Sequence, residues 1–184
     1  MKYYELFDDV TIRRRWHLGE VFDSDENSPQ ELWTGKPTRH SALKAEITHG
    51  QRTLQFSLTS FAVPVATNAL GTAIESIAGA DLQRIPIRIN KFPGFEILNS
   101  VRSIQCLEES KSEFTKWTDH DHRPDLIGQY RQVTKLILDP SRIPEDAHFF
   151  RVEGWLIALI ASERVKEIME KTGCFGAKFQ QVCF

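Results

Sequence analysis

The residue types best suited to chemistry in this sequence cluster between positions 119 and 125, where Asp119-His120-Asp121-His122 runs into Arg123-Pro124-Asp125. Imidazole nitrogens and carboxylate oxygens are the donors that hold zinc and other divalent ions, so the stretch is a candidate for a metal-dependent hydrolase. His120 and His122 share a side only if the backbone there is extended, and a pre-organised site needs further ligands. A charge-rich stretch of this kind is ordinarily a solvated loop, and no metal is assigned to it. Its other use is as a contact surface. A second acidic cluster, Asp23, Asp25 and Glu26, lies in an earlier loop-like stretch. Arg13-Arg14-Arg15 offers bidentate guanidinium geometry for phosphate or carboxylate, as a small-ligand binding module would need, although Asp8, Asp9 and Glu20 are close enough in sequence to neutralise it.

Signatures of known chemistry are otherwise missing. There is no Gly-x-Ser-x-Gly, His-Glu-x-x-His, Gly-x-Gly-x-x-Gly or Cys-x-x-Cys. Gly35-Lys36-Pro37-Thr38 has proline where a phosphate loop needs a hydroxyl, and Cys106 has no neighbouring histidine to activate it. No catalytic residue and no cofactor is assigned, and the chain is not read as an enzyme.

The elements that must position these groups follow from periodicity. Leu54, Phe56 and Leu58 alternate with polar residues as a half-buried strand does. Thr67 or Asn68 caps a helix with apolar positions Leu70, Ala73, Ile74, Ile77 and Ala78, ended by Gly79. Ile85, Ile87 and Ile89 alternate again, and a second run, 95–98, follows Pro93-Gly94, which predicts a hairpin turning at that dipeptide. Pro86 cannot donate to a ladder and places its strand at a sheet edge, or begins it. Residues 133–138 and 156–161 predict strands, and 176–182 a closing strand. Ser162 caps a helix with a Val165, Ile168, Met169 stripe and a Glu167–Lys171 pair, stopped at Gly173. Residues 19–52 read as mostly loop with a short strand at 45–47. The four tryptophans are read as packing residues, Trp155 first among them.

The class is therefore α+β: residues 1–184 as one domain with a mixed or mainly antiparallel sheet, short strands and two or more helices, residues 1–62 forming a loop-rich subregion. With 23 Lys+Arg against 25 Asp+Glu, the net charge of -2 excludes the broad basic face of a sequence-independent nucleic-acid binder. The three cysteines are odd in number and widely spaced, unlike a disulfide framework, and no leader or long apolar run is evident, so a reduced, cytoplasmic protein without a membrane contact is expected.

One ordered set of short pieces goes further. Leu138-Asp139-Pro140-Ser141-Arg142-Ile143-Pro144, Phe149-Phe150-Arg151-Val152-Glu153-Gly154-Trp155, Leu159-Ile160-Ala161-Ser162-Glu163-Arg164-Val165-Lys166 and Gly173-Cys174-Phe175-Gly176-Ala177-Lys178-Phe179 follow one another. Arg15-Trp16-His17-Leu18-Gly19, Val63-Pro64-Val65, Ile85-Pro86-Ile87-Arg88-Ile89 and Ile97-Leu98-Asn99-Ser100-Val101 precede them. Together they resemble the immunity proteins of bacterial polymorphic toxin systems, of the Imm-eleven type. The resemblance implies a small non-enzymatic cytosolic protein, encoded beside a toxin, that binds the cognate toxin domain and blocks it; such toxins are often nucleases. It brings no catalytic residues with it. An inhibitor of a nuclease competes for a basic surface by offering carboxylates, which makes Asp23, Asp25 and Glu26, and Asp119, Asp121 and Asp125, the candidate toxin-binding residues.

Overall fold

The structure is a computed structural model that describes residues 1–183. In chain order the N-terminal half holds β1 (Tyr3–Asp8), β2 (His17–Phe22), α1 (Glu31–Thr34), β3 (Leu43–His49), β4 (Phe56–Leu58), β5 (Pro64–Thr67), α2 (Asn68–Ala78), β6 (Leu82–Ile89) and β7 (Phe92–Ser100). There follow β8 (Ser103–Ile104), β9 (Glu113–Lys116), β10 (Tyr130–Lys135), β11 (Phe149–Val152), β12 (Trp155–Ser162), α3 (Glu163–Lys171) and β13 (Ala177–Gln181). The α+β class read from the sequence is the observed one. Six strands form a sheet in the order β2-β3-β6-β7-β5-β4 and five form a second in the order β13-β1-β12-β11-β8, while β9 and β10 make a separate ribbon. Pairing is antiparallel except for β3 with β6 and β11 with β8. Among the described residues no helix is long and apolar enough to cross a membrane.

Capping chemistry sets the two longer helices. Thr67 Oγ1 accepts the Leu70 N–H and Gly79 ends α2 at φ 53°, while Ser162 Oγ accepts the Val165 N–H at the start of α3; each cap is worth about 1 kcal/mol. The ion pair on α3 joins Lys166 to Glu170 at 2.6 Å, where the sequence suggested Glu167 with Lys171. The helices pack on each other, α2 against β5, β6 and β7 and α3 against β1 and β12. Leu70, Ile74 and Ala78 of α2 and Val165 and Met169 of α3 share one core with Leu6, Phe56, Leu98, Phe149 and Leu159. That core takes residues from both sheets and from sequence positions far apart. Gly71 lets α2 approach β7 closely: a Cβ there would lie 1.6 Å from Glu96 Oε1, the carboxylate that Arg84 grips from β6 at 2.6 and 3.0 Å.

Four local expectations are corrected. The hairpin of β6 and β7 turns at Asn90-Lys91, with Asn90 at φ 41°, and Pro93-Gly94 lies within β7. Asn90 carries the turn because its Oδ1 also accepts the Ile47 N–H and so ties the turn to β3. Pro86 sits in an interior strand, not an edge strand; β3 reaches only Ile87–Ile89 along β6, so on that flank Pro86 stands just beyond the ladder. The predicted strand 133–138 divides at Leu136, because β10 ends at Lys135 and Leu136 and Leu138 leave the ribbon to fill the core beneath Cys106, Phe150 and Val182. The stretch 19–52 carries most of β2 and all of β3; the short strand expected at 45–47 is the middle of β3, and β2 alternates too weakly in hydropathy to show.

Glu5, on β1 between β12 and β13 of the five-stranded sheet, pairs with Ile160 and Gln180. Burial pushes its carboxyl up to about 7 from an ordinary 4.5. A carboxyl raised in the folded state holds its proton there, so its stabilising share is complete below about pH 4.5 and is lost as the pH rises through about 7. At about pH 8 Glu5→Gln is therefore expected to be more stable than the native chain by about 2 kcal/mol, after discounting for residual exposure, and at about pH 4 the two should be equal. Urea unfolding at the two pH values checks this, and an equal gap at both would show that desolvation of Glu5 is not the cause.

Candidate functional site

The first acidic cluster follows β2. Asp23 is buried, and its Oδ1 accepts the N–H groups of Asp25 and Asn27 at 2.9 Å each, while Oδ2 lies 3.2 Å from His40 Nδ1. The Asn27 N–H, ahead of those partners, holds the Asp23 carboxyl below the usual carboxylate range. Asp23 is thus occupied in closing its own turn. Asp25 and Glu26 face solvent, with Glu26 Oε1 3.3 Å from Lys44 Nζ.

The second cluster lies on the loop 117–129 that joins β9 to β10. Phe114, Tyr130 and Val133 lay this ribbon against a core, and the loop beyond them is almost entirely exposed. Asp121 Oδ2 accepts from the Thr118 N–H at 2.8 Å and its hydroxyl at 2.9 Å, and Oδ1 accepts from Arg131 at 2.7 Å. The Thr118 N–H is the main reason its carboxyl is held low. Asp125 is clasped by Arg123 through Nε at 2.9 Å and a second guanidinium nitrogen at 2.7 Å. Asp119 is exposed, with His120 Nε2 3.6 Å away. His122 meets the edge of Trp117, whose ring also carries the Arg131 guanidinium at 4.8 Å. Asp121 is therefore an organiser of the loop, and the histidines do not converge with it. No group of three or more His, Cys, Asp or Glu side chains among the described residues is arranged to hold a metal ion. Among the described residues no hydrogen bond or ion pair joins the two acidic clusters; each stays within its own loop and its immediate neighbours.

The arginine run is also divided by the fold. Arg15 turns inward to Asp8 at 2.9 Å and to His17 Nδ1 at 3.3 Å, leaving Arg13 and Arg14 outside. Gly35 is the left-handed C-cap of α1, so Gly35-Lys36-Pro37-Thr38 terminates a helix and cradles nothing. A Ser162–His148 contact of 3.0 Å has the residue types of a nucleophile and its base. Ser162 is wholly buried, however, and its hydroxyl already caps α3. Arg164 approaches the other ring nitrogen at 3.4 Å and can only donate, which makes Nε2 the acceptor and Nδ1–H the donor to Ser162. The pair clamps α3 to β11.

Residues 90–183 match the model of an immunity protein family, Imm11. This chain belongs to the Imm11 family. Its members are typically non-enzymatic inhibitors that neutralise a toxin. No match was found among curated proteins. The matched span runs from the β6–β7 turn to the end of β13, so it contains the ribbon, its acidic loop and the buried Arg151 of β11. In this Imm11 protein Arg151 is wholly buried and has no carboxylate partner among the described residues. Its guanidinium donates to the carbonyls of Leu156 at 2.6 Å, Leu32 at 3.2 Å and Ala62 at 3.3 Å, and burial drags its pKa down to about 10. Nothing in the local pattern signals this role, since an arginine among apolar neighbours in a strand looks like an ordinary outward residue. Burial also pushes the Cys106 thiol up to about 12, so it is no nucleophile.

Proposed function

We propose that this Imm11 protein acts in the cytosol, where it binds the active domain of a cognate toxin, a nuclease, and that the loop 117–129 meets the toxin. The observation that carries this reading is the composition of the exposed loop: Ile127 is 52% exposed, Trp117 is half-buried, and Asp119 and Asp125 stand at the surface around them in sequence. An apolar anchor with aromatic support and a charged rim is the make-up of an inhibitor interface. Carboxylates facing a basic nucleic-acid-binding surface compete with the substrate and speed encounter. Asp25 and Glu26 supply a second, smaller source of the same charge. Asp23 and Asp121 contribute by holding the two loops in shape. All three cysteines are free thiols, which suits a reducing compartment.

Co-expression tests the reading: cells carrying the toxin gene survive only when this protein is made as well. The contact is checked by association kinetics of the purified pair. Asp119→Lys combined with Asp125→Lys should slow association about tenfold at low salt and much less at high salt, because steering by surface charge is screened. Unchanged kinetics would return the loop to plain solvated surface. Undiminished killing during co-expression would sink toxin neutralisation itself.

A further inference from the structure

A groove of about 920 Å³ lies beside the start of α2, on the face of the six-stranded sheet that carries Pro86, Arg88 and Glu96, and the acidic-loop reading makes no use of it. Lys44 of β3, Pro86 and Arg88 of β6 and Phe92 to Glu96 of β7 form its floor, with Ala42 on one rim and Asn68 of α2 on the other. The parallel register of β3 and β6 sets Lys44 directly beside Arg88, and Lys91 follows at the hairpin turn. Three cations thus surround one depression in a chain whose net charge is -2.

The carboxylates nearby do little to cancel them. Glu96 is buried and gripped by Arg84 through two contacts of 2.6 and 3.0 Å, so its charge is already matched. Glu26, 3.3 Å from Lys44, has an 81% exposed side chain, and such a pair is weak in water and exchanges readily. Among the described residues Arg88 and Lys91 have no ion-pair partner. Between the cations the surface is apolar: Pro86 and Pro93 are exposed, and Gly94, with no atom within 4 Å of where a Cβ would stand, leaves the floor open. Phe92 and Phe95 pack towards Trp16, with ring centres 5.8 and 5.1 Å from it, and so belong to the core beside the groove. The lining is too exposed to enclose a small molecule, which needs most of its surface buried.

We infer that this groove docks an extended acidic segment of the partner protein, with carboxylates meeting Lys44, Arg88 and Lys91 and an alternate apolar side chain resting on Pro86 and Pro93. The inference rests on the reading above that the partner is a protein toxin, and it adds a second contact of opposite charge to the acidic loop. A surface with one negative and one positive patch fixes the orientation of its partner as well as its encounter rate.

The test uses the full chain and a fluorescent peptide of alternating Glu and Val, with the Lys-for-Glu peptide as its control. At about 50 mM salt the acidic peptide should bind weakly and the basic one not at all, and binding should fade by about 300 mM. Amide chemical shifts should move at Lys44, Arg88, Lys91 and Gly94. Arg88→Glu combined with Lys91→Glu, both exposed positions, should weaken peptide binding at least tenfold and reduce protection in the co-expression assay. Shifts confined to Arg13 and Arg14, or preference for a single-stranded oligonucleotide over the acidic peptide, would overturn the groove assignment. So would full protection by the double variant with peptide affinity unchanged, and that result would leave toxin neutralisation standing. If the native chain fails to protect, neutralisation falls and the peptide measurements alone decide the groove.

Discussion

Arg151→Ala is expected to lower the free energy of unfolding by about 3–5 kcal/mol. Two effects oppose each other at this position. A buried cation with no carboxylate is costly, as its lowered pKa of about 10 shows, and removing it relieves that cost. Truncation, however, opens a void in a wholly buried place and strips donors from three carbonyls, those of Leu32 in α1, Ala62 between β4 and β5, and Leu156 in β12. The guanidinium ties all three segments together, so the void and the three orphaned acceptors outweigh the relief. Arg151→Met fills most of the volume and should lose only about 1–2 kcal/mol. Urea denaturation followed by tryptophan fluorescence orders the three chains. A methionine variant as stable as the native chain would mean that the carbonyl contacts add nothing net. Hydrogen exchange gives a local check: the amides around Leu32 and Ala62 should lose protection, since Trp33 and Phe61, stacked at 5.5 Å, depend on those two segments keeping their places.

Gly176→Ala should cost about 3–4 kcal/mol, for a reason that lies in the backbone. Gly176 has φ 120°, a conformation that costs a residue with a Cβ about 1–3 kcal/mol. An added Cβ would also stand 2.2 Å from the Phe56 carbonyl oxygen and 2.9 Å from Leu54 Cβ, neither of which can rotate aside. This is where the two sheets are sewn together: Phe175 O accepts the N–H of Gln55 at 2.9 Å and of Phe56 at 3.3 Å, Phe175 N–H donates to Gln55 Oε1 at 2.9 Å, and Asp9 N–H donates to Gly176 O at 2.8 Å. Relief of the clash must push β13 away from β4 and lengthen those bonds. Thermal unfolding of the variant should show a Tm lower by about 8 °C or more. A loss below about 1 kcal/mol would show that the two strands separate freely and that this seam does not couple the sheets.

Local sequence by itself determined the parts of this protein that local physics governs. Thr67, Gly79 and Ser162 set the helix ends because a cap needs only its own side chain and the next turn. Alternation over Ile85, Ile87 and Ile89 and the apolar run before Ser162 marked β6 and β12, because one-sided or complete burial imprints itself on neighbouring positions. The family pieces of the C-terminal half, residues 138–179, were legible as an ordered set, and they fall within the matched span. The first acidic cluster read as three equivalent carboxylates, yet Asp23 turned inward while Asp25 and Glu26 stayed out. Only the backbone path of residues 23–27 distinguishes them. The interior position of Pro86 depended on where β3 begins, since its first residue, Leu43, pairs with Ile87 and leaves Pro86 just outside the ladder. Arg151 and the basic groove were invisible for the same reason. Their partners come from segments distant in sequence, and a charge becomes buried, paired or exposed only once the sheets have brought those segments together.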